Sequence, residues 1–345
     1  MTFTRKAVFG MLGAVAIGCA TAIPVMAQDV TLRLHQFLPE QANVPNLILY
    51  PWADRIEAAS EGRIKIERYA SMQLGGSPPE LMDQAIDGVA DIVWTVVGYT
   101  PGRYPSTEVF ELPFMMTNAR AASSAYWQMF EKSMKDTEFK DLKILATWVH
   151  GPGVIHSNKP VETPADMEGL KMRGGSRLAS VLLQELGATP VGMPVPSIPE
   201  ALSKGVVDGT TIPWEVTGAL KVPELVKNHT EFEGRALYTL GFVLAMNKDR
   251  YDSLDPDLQK IIDDNSGLEF SILAGGTQAD SDGPARQAAV DAGNTIITVS
   301  GDDVQTWKDA SQPVYDKWLA DMESKGIDGQ ALIDEARALM DAYDK

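Results

Sequence analysis

The stretch Val30–Val96 decides the fold through three segments: VTLRLH (30–35), RIKIERY (63–69) and DIVWTV (91–96). The first two alternate apolar and polar residues and the third is nearly continuous in apolar ones, so each reads as a strand. Between the first and second, Ile48, Leu49, Trp52, Ala53, Ile56 and Ala59 recur at helical spacing, and Gly62 supplies the C-terminal cap. Between the second and third, Pro78-Pro79-Glu80 opens a short helix through Ile86 that stops at Gly88. Strands separated by helices of this length predict βαβ units and a largely parallel sheet.

The pattern continues downstream. Lys143–Val149 (KILATWV) reads as a strand, Gly151-Pro152-Gly153 as a turn, and Val154–Ser157 as extended chain. Pro164–Met167 starts a turn or short helix, Leu170–Arg173 is a strand, and Leu178–Leu186 is a helix stopped by Gly187. The longest helical pattern spans Asp255–Ala292 and begins with Asp255-Pro256, a capping side chain followed by proline at the first helical position. Gly275-Gly276 and Gly283-Pro284 are expected to bend or interrupt it. Two further helices are expected around Val304–Ser324 and Asp328–Ala342.

The N-terminus reads as a signal peptide over residues 1–27: positive Arg5 and Lys6, an apolar Ala7–Ala20, and small residues in Val25-Met26-Ala27. The apolar run falls short of the roughly 20 residues of a transmembrane helix. Cys19, the single cysteine, lies inside this segment, so no disulfide supports the exported chain; lipidation at Cys19 is the alternative, disfavoured because no leucine stands three residues before it. Cleavage after Ala27 leaves 318 of 345 residues, more than one core usually supports, and removes Arg5 and Lys6, taking the net charge from −17 to −19. So acidic a chain does not attract nucleic acid or an anionic membrane, and it repels anions at long range. Any anion site must rest on a few buried donors.

Two long runs carry a resemblance: HSNKPVETPADMEGLKMR (His156–Arg173) and LGATPVGMPVPSIPEALSKGVVDGTTIP (Leu186–Pro213). With Gln73-Leu74-Gly75-Gly76, Gly88 and Asp91, and Glu111-Leu112-Pro113-Phe114, they resemble the substrate-binding proteins of tripartite ATP-independent periplasmic (TRAP) transporters, the DctP-like family. The resemblance covers nearly all of the exported chain. It implies an α/β, two-lobe periplasmic binding protein fold, with parallel or mixed sheets, hinge strands and a long helix crossing both lobes. The lobes are expected at 28–150 with 240–278, and at 151–239 with 279–345. It also implies a mechanism: a ligand touching both lobes favours the closed state, which docks on large and small membrane permease subunits. The protein is expected in the periplasm, as a monomer, with no cofactor and no dedicated metal.

Arg173 leads the candidate site. Family members carry an arginine at this motif position that grips the ligand carboxylate, and a guanidinium presents a planar fork that stays charged when buried. The family's bracing asparagine after Asp-Gly is absent, with Ile212 or Pro213 in its place. Trp214 is therefore a candidate to pack over the ligand, and Glu215 to brace Arg173 or answer a ligand hydroxyl. No cation occupies Gly151–Ile155, where members binding a second carboxylate often carry one. A second buried negative charge would lack a partner, at a cost of several kcal/mol. That favours a monocarboxylate over a dicarboxylate. Ligands of open α/β sheets sit outside the carboxyl ends of the strands, which adds His35, Gln36, Trp94, Tyr99, Trp148 and His150. The aromatic residues among them suggest an aromatic or apolar-bodied acid such as a benzoate. C4-dicarboxylates, 2-oxo acids and sugar acids remain alternatives, as does an ABC-type binding protein.

An enzyme is the rival class. His35, His150, His156 and His229 share no metal-ligand spacing, no cysteine remains after export, and GxSxG, Walker and GxGxxG patterns are absent. The expectation is therefore a binding protein, not an enzyme.

Overall fold

The computed structural model describes residues 1–2 and 30–343; residues 3–27 of the expected signal peptide, with Cys19, lie outside the described residues. The strands are β1 (Val30–His35), β2 (Ile64–Tyr69), β3 (Ile92–Val96), β4 (Leu142–Val149), β5 (Gly153–Ser157), β6 (Lys171–Gly174), β7 (Thr189–Gly192), β8 (Gly209–Pro213), β9 (Asn228–Phe232), β10 (Gly241–Asn247) and β11 (Thr295–Val299). They form two sheets, ordered β2-β1-β3-β10-β4 and β11-β9-β5-β8-β6-β7. The fold is the expected two-lobe α/β architecture, one sheet to each lobe.

The first sheet begins as the sequence predicts, with β1 parallel to β2 and β3. It is nevertheless mixed, because β10 enters antiparallel between β3 and β4. Both β3 (IVWTV) and β10 (GFVLAMN) are buried at every residue. Runs without polar alternation suit strands covered on both faces. In the second sheet β6 runs parallel to β7 and β8, whereas β5 is antiparallel to β8 and β9.

Three segments cross between the lobes. Residues 150–152 lead from β4 into β5, and residues 233–240 lead from β9 into β10. Gly153 N donates to Tyr238 O at 3.0 Å, tying the two crossings together. A side chain at Gly153 would not fit, since a Cβ there would lie 2.1 Å from the Tyr238 ring.

The third crossing is helical. Helix Leu268–Asp280 packs on helix Ala119–Met129 and on β4, and helix Asp282–Asp291 packs on the turn Trp214–Val216, with Ser281 at their junction. The helix is not interrupted at Gly275-Gly276. Both glycines lie inside the helix, where a Cβ at Gly275 would lie 2.1 Å from Ser123 Oγ. They permit close helix contact instead, and the break falls at Ser281, just before Gly283-Pro284. Pro256–Asp264 is a separate helix, divided from Leu268–Asp280 by a turn at Gly267 with φ 82°.

Helix Asp302–Ser324 packs on helix Arg177–Glu185, over the second sheet. Helix Gly329–Tyr343 returns to helix Ala119–Met129, over the first, although the sequence reading grouped 279–345 with the second lobe. No helix among the described residues is long and apolar enough to cross a membrane.

Candidate functional site

A narrow chamber lies between the sheets, where strand ends of both lobes and the crossing segments meet. The first lobe supplies an aromatic wall. Phe37 stacks on Trp94 with centroids 4.7 Å apart, and Trp94 stacks on Phe242 at 5.2 Å. Phe37 is brought there by a tight turn after β1: Gln36 Nε2 donates to Leu38 O at 2.7 Å, and Gln36 Oε1 accepts from Leu38 N. Trp148 stacks behind this wall and donates through Nε1 to Gln278 Oε1 at 2.8 Å.

The second lobe supplies the charge. Arg173 is 0 % exposed on β6. Its Nε donates to Met193 O at 2.9 Å and its Nη1 to Thr211 O at 3.1 Å, whereas Nη2 has no partner among the described residues. Two backbone carbonyls thus orient the fork without neutralising it. Gly175 makes room, since a Cβ there would lie 3.0 Å from Nη1.

Glu215 is 4 % exposed in the turn after β8. Its Oε1 accepts from Gln278 Nε2 at 2.8 Å, and its Oε2 has no partner among the described residues. Burial pushes the carboxyl up to about 7, against the hydrogen bond from Gln278. Asp282, which accepts from Glu215 N at 2.8 Å, is likewise pushed up by burial to about 8.

His150 closes the chamber at the first crossing. Its Nδ1 faces the Gly151 carbonyl and its Nε2 accepts from Leu240 N at 3.1 Å, which assigns the neutral Nδ1–H tautomer. Burial lowers it to about 4, and the Arg173 charge acts in the same direction. Tyr99 joins the lobes beside Arg173: its hydroxyl accepts from Val195 N at 2.9 Å, and its ring meets Phe37 edge-on at 5.7 Å. Burial raises that hydroxyl, with the Arg173 charge opposing. Tyr238 also lines the chamber, and its buried hydroxyl has no partner among the described residues.

Of the residues singled out from sequence, Arg173, Glu215, Trp94 and His150 line one chamber, with Tyr99 at its edge and Trp148 behind its wall. His35, Gln36 and Trp214 are not among its lining residues. His35 is fully buried below it, with Nδ1 2.7 Å from Gln84 Oε1 and Nε2 accepting from Leu74 N. Gln36 shapes the turn that presents Phe37. Trp214 turns into a separate cluster, donating to Glu231 at 3.2 Å and packing on His156 and His229. Sequence reasoning missed Phe37, Phe242, Tyr238 and Gln278. Phe37 had a usable signal, one residue beyond the polar pair chosen at the end of β1.

Four buried polar atoms of chamber-lining residues lack a partner among the described residues: the donors Arg173 Nη2, Trp94 Nε1 and Tyr238 Oη, and the acceptor Glu215 Oε2. An unsatisfied buried polar group costs about 1–3 kcal/mol. A cation and two neutral donors beside a stacked aromatic wall have the chemistry to meet an anionic head on an apolar body.

The comparisons with known proteins agree with this architecture. The profile of bacterial extracellular solute-binding protein family 7 (DctP) matches residues 39–321. A TRAP solute-binding protein from Rhodoferax ferrireducens T118, crystallised with copurified benzoate, is 50 % identical with a TM-score of 0.89, over 91 % of this chain and 98 % of that one. A marine-metagenome TRAP solute-binding protein specific for aromatic acid ligands, crystallised with 3-hydroxybenzoate, is 45 % identical with a TM-score of 0.90, over 92 % and 100 %. The outer membrane transporter protein TsaT of Comamonas testosteroni is 28 % identical over 98 % of each chain. With a family profile spanning most of its length and a two-lobe fold shared with these structures, the chain belongs to the DctP family and is a TRAP-transporter solute-binding protein.

Proposed function

We propose that this protein captures an aromatic monocarboxylate in the periplasm, between its two lobes, and hands it unchanged to the membrane subunits of a TRAP permease. One observation carries the reading. Arg173 Nη2 is buried and unpartnered in a chamber whose opposite wall is the Phe37–Trp94–Phe242 stack. The guanidinium suits the carboxylate and the stack suits the ring, an arrangement worth roughly 0.5–1.5 kcal/mol per aromatic pair beyond burial. Among the described residues no other lysine or arginine lines the chamber, so a second carboxylate would face Glu215 rather than a counter-charge. The benzoate and 3-hydroxybenzoate bound by the two similar proteins fit the same division of labour. Lobe closure follows from contacts made to both sides at once.

A calorimetric titration with benzoate, succinate, a 2-oxo acid and galacturonate tests this. Benzoate is expected to bind at least tenfold tighter than the other three. Tighter binding of any aliphatic or sugar acid, or conversion of benzoate to a product during the titration, would overturn the reading.

A further inference from the structure

Of the four unpartnered polar atoms on the chamber-lining residues, Arg173 Nη2, Trp94 Nε1 and Tyr238 Oη can donate to a carboxylate, whereas Glu215 Oε2 is not accounted for by one. Glu215 Oε2 is a buried acceptor with no partner among the described residues. It is also rigidly placed. Gln278 holds Oε1 at 2.8 Å and is itself held by Trp148 Nε1 at 2.8 Å. The Glu215 backbone is fixed by Asn43, whose Nδ2 donates to its carbonyl at 2.8 Å, and by Asp282, which accepts from its N–H. These partners are neutral or acidic, and Arg173 is bonded to carbonyls, so Glu215 is not in place to neutralise a cation.

We infer that Glu215 is a specificity residue whose Oε2 accepts a hydrogen bond from a ring hydroxyl of the ligand, and that the preferred ligands are hydroxylated aromatic monocarboxylates. The inference rests on the proposed function and narrows its ligand class. Above about pH 7, where Glu215 is ionised, its carboxyl only accepts, so the group facing it must donate. A second ligand carboxylate would repel it. A phenolic O–H donates while leaving the ligand with one negative charge, matched to the one cation at Arg173. The stacked wall requires that the hydroxyl be carried on a flat, apolar ring. A benzoate without the hydroxyl leaves Glu215 Oε2 buried and unsatisfied, so the site discriminates by the penalty as well as by the bond.

The test is calorimetry at about pH 8, where Glu215 is ionised, on the purified protein with benzoate, 3-hydroxybenzoate, 4-hydroxybenzoate and the two methoxybenzoates. One hydroxy isomer is expected to bind about 10- to 150-fold tighter than benzoate, the range for a hydrogen bond to a charged group. The matching methoxy compound, which cannot donate, is expected to lose that advantage. In Glu215→Gln the ratio of benzoate to hydroxybenzoate dissociation constants is expected to fall below threefold. A purely structural role for Glu215 would weaken both ligands alike and leave the ratio intact. Wild-type protein that binds both hydroxy isomers no better than benzoate overturns the inference and leaves the proposed function standing, as does a ratio that survives in Glu215→Gln. Failure of every benzoate to bind overturns both. The methoxy comparison needs only the wild type, so it decides the matter even if the variant does not fold.

Discussion

Replacing Arg173 with methionine removes the charge while keeping most of the apolar stem, and its cost can be worked from the geometry. The side chain is fully buried, and its Nη2 is free to meet a guest. Truncating one partner of a buried, hydrogen-bonded charge pair costs about 2–5 kcal/mol, much of it the penalty of leaving the other charge without a partner. Dissociation constants for benzoates should therefore rise about 30- to 4000-fold. A second, separable effect falls on stability. Met193 O and Thr211 O each lose a donor, at about 1–3 kcal/mol for each carbonyl left unsatisfied. The variant should consequently melt lower without ligand. Calorimetry reads the first effect and a thermal melt the second, with circular dichroism to show that the fold persists. A folded Arg173→Met protein that binds benzoates within threefold of wild type would refute anion capture by this cation.

Two further outcomes follow. Tyr99→Phe removes the acceptor for Val195 N, a bond that joins the lobes; all ligands should weaken alike by about 5- to 150-fold, the cost of a buried unsatisfied N–H, and unchanged affinity would show that closure does not use this bond. The pH dependence of the melt is set by two opposed groups. Glu111, Glu215 and Asp282 are raised by burial to about 8, 7 and 8, so the folded state holds protons that the unfolded state releases near 4, and stability is lost as pH rises through those folded values. His150, His156 and His229 are lowered by burial, so their contribution is lost only as pH falls below about 6.5. Above that pH the carboxyls act alone. The melting temperature should fall steadily from pH 6.5 to 8.5, and Glu111→Gln should flatten part of the slope; a flat wild-type profile in that window would contradict the assignment.

The sequence made the local elements legible where a periodicity or a cap spoke for them, and was silent where the decision was made between distant segments. Strands β1 to β4 were readable because VTLRLH, RIKIERY, DIVWTV and KILATWV carry the pattern on their own. The antiparallel entry of β10 between β3 and β4 was not, because sheet order depends on pairing across more than 90 residues. The same division governs the site. Arg173 is legible as a candidate from its place in an ordered motif, and the structure places it buried at the chamber, bonded to two carbonyls. Trp214 carried the same kind of signal, yet its ring found His156, His229 and Glu231, since a turn that exposes Glu215 to the chamber must send the preceding side chain elsewhere. At β1, position alone favours the polar residues His35 and Gln36, but these are bonded to Gln84 and Leu38, and the neighbour that lines the chamber is Phe37. Polar side chains under such a wall serve to fix the turn that carries it. A carboxyl-end position therefore points to the neighbourhood of the chamber, while burial and hydrogen-bond supply decide which residue faces it.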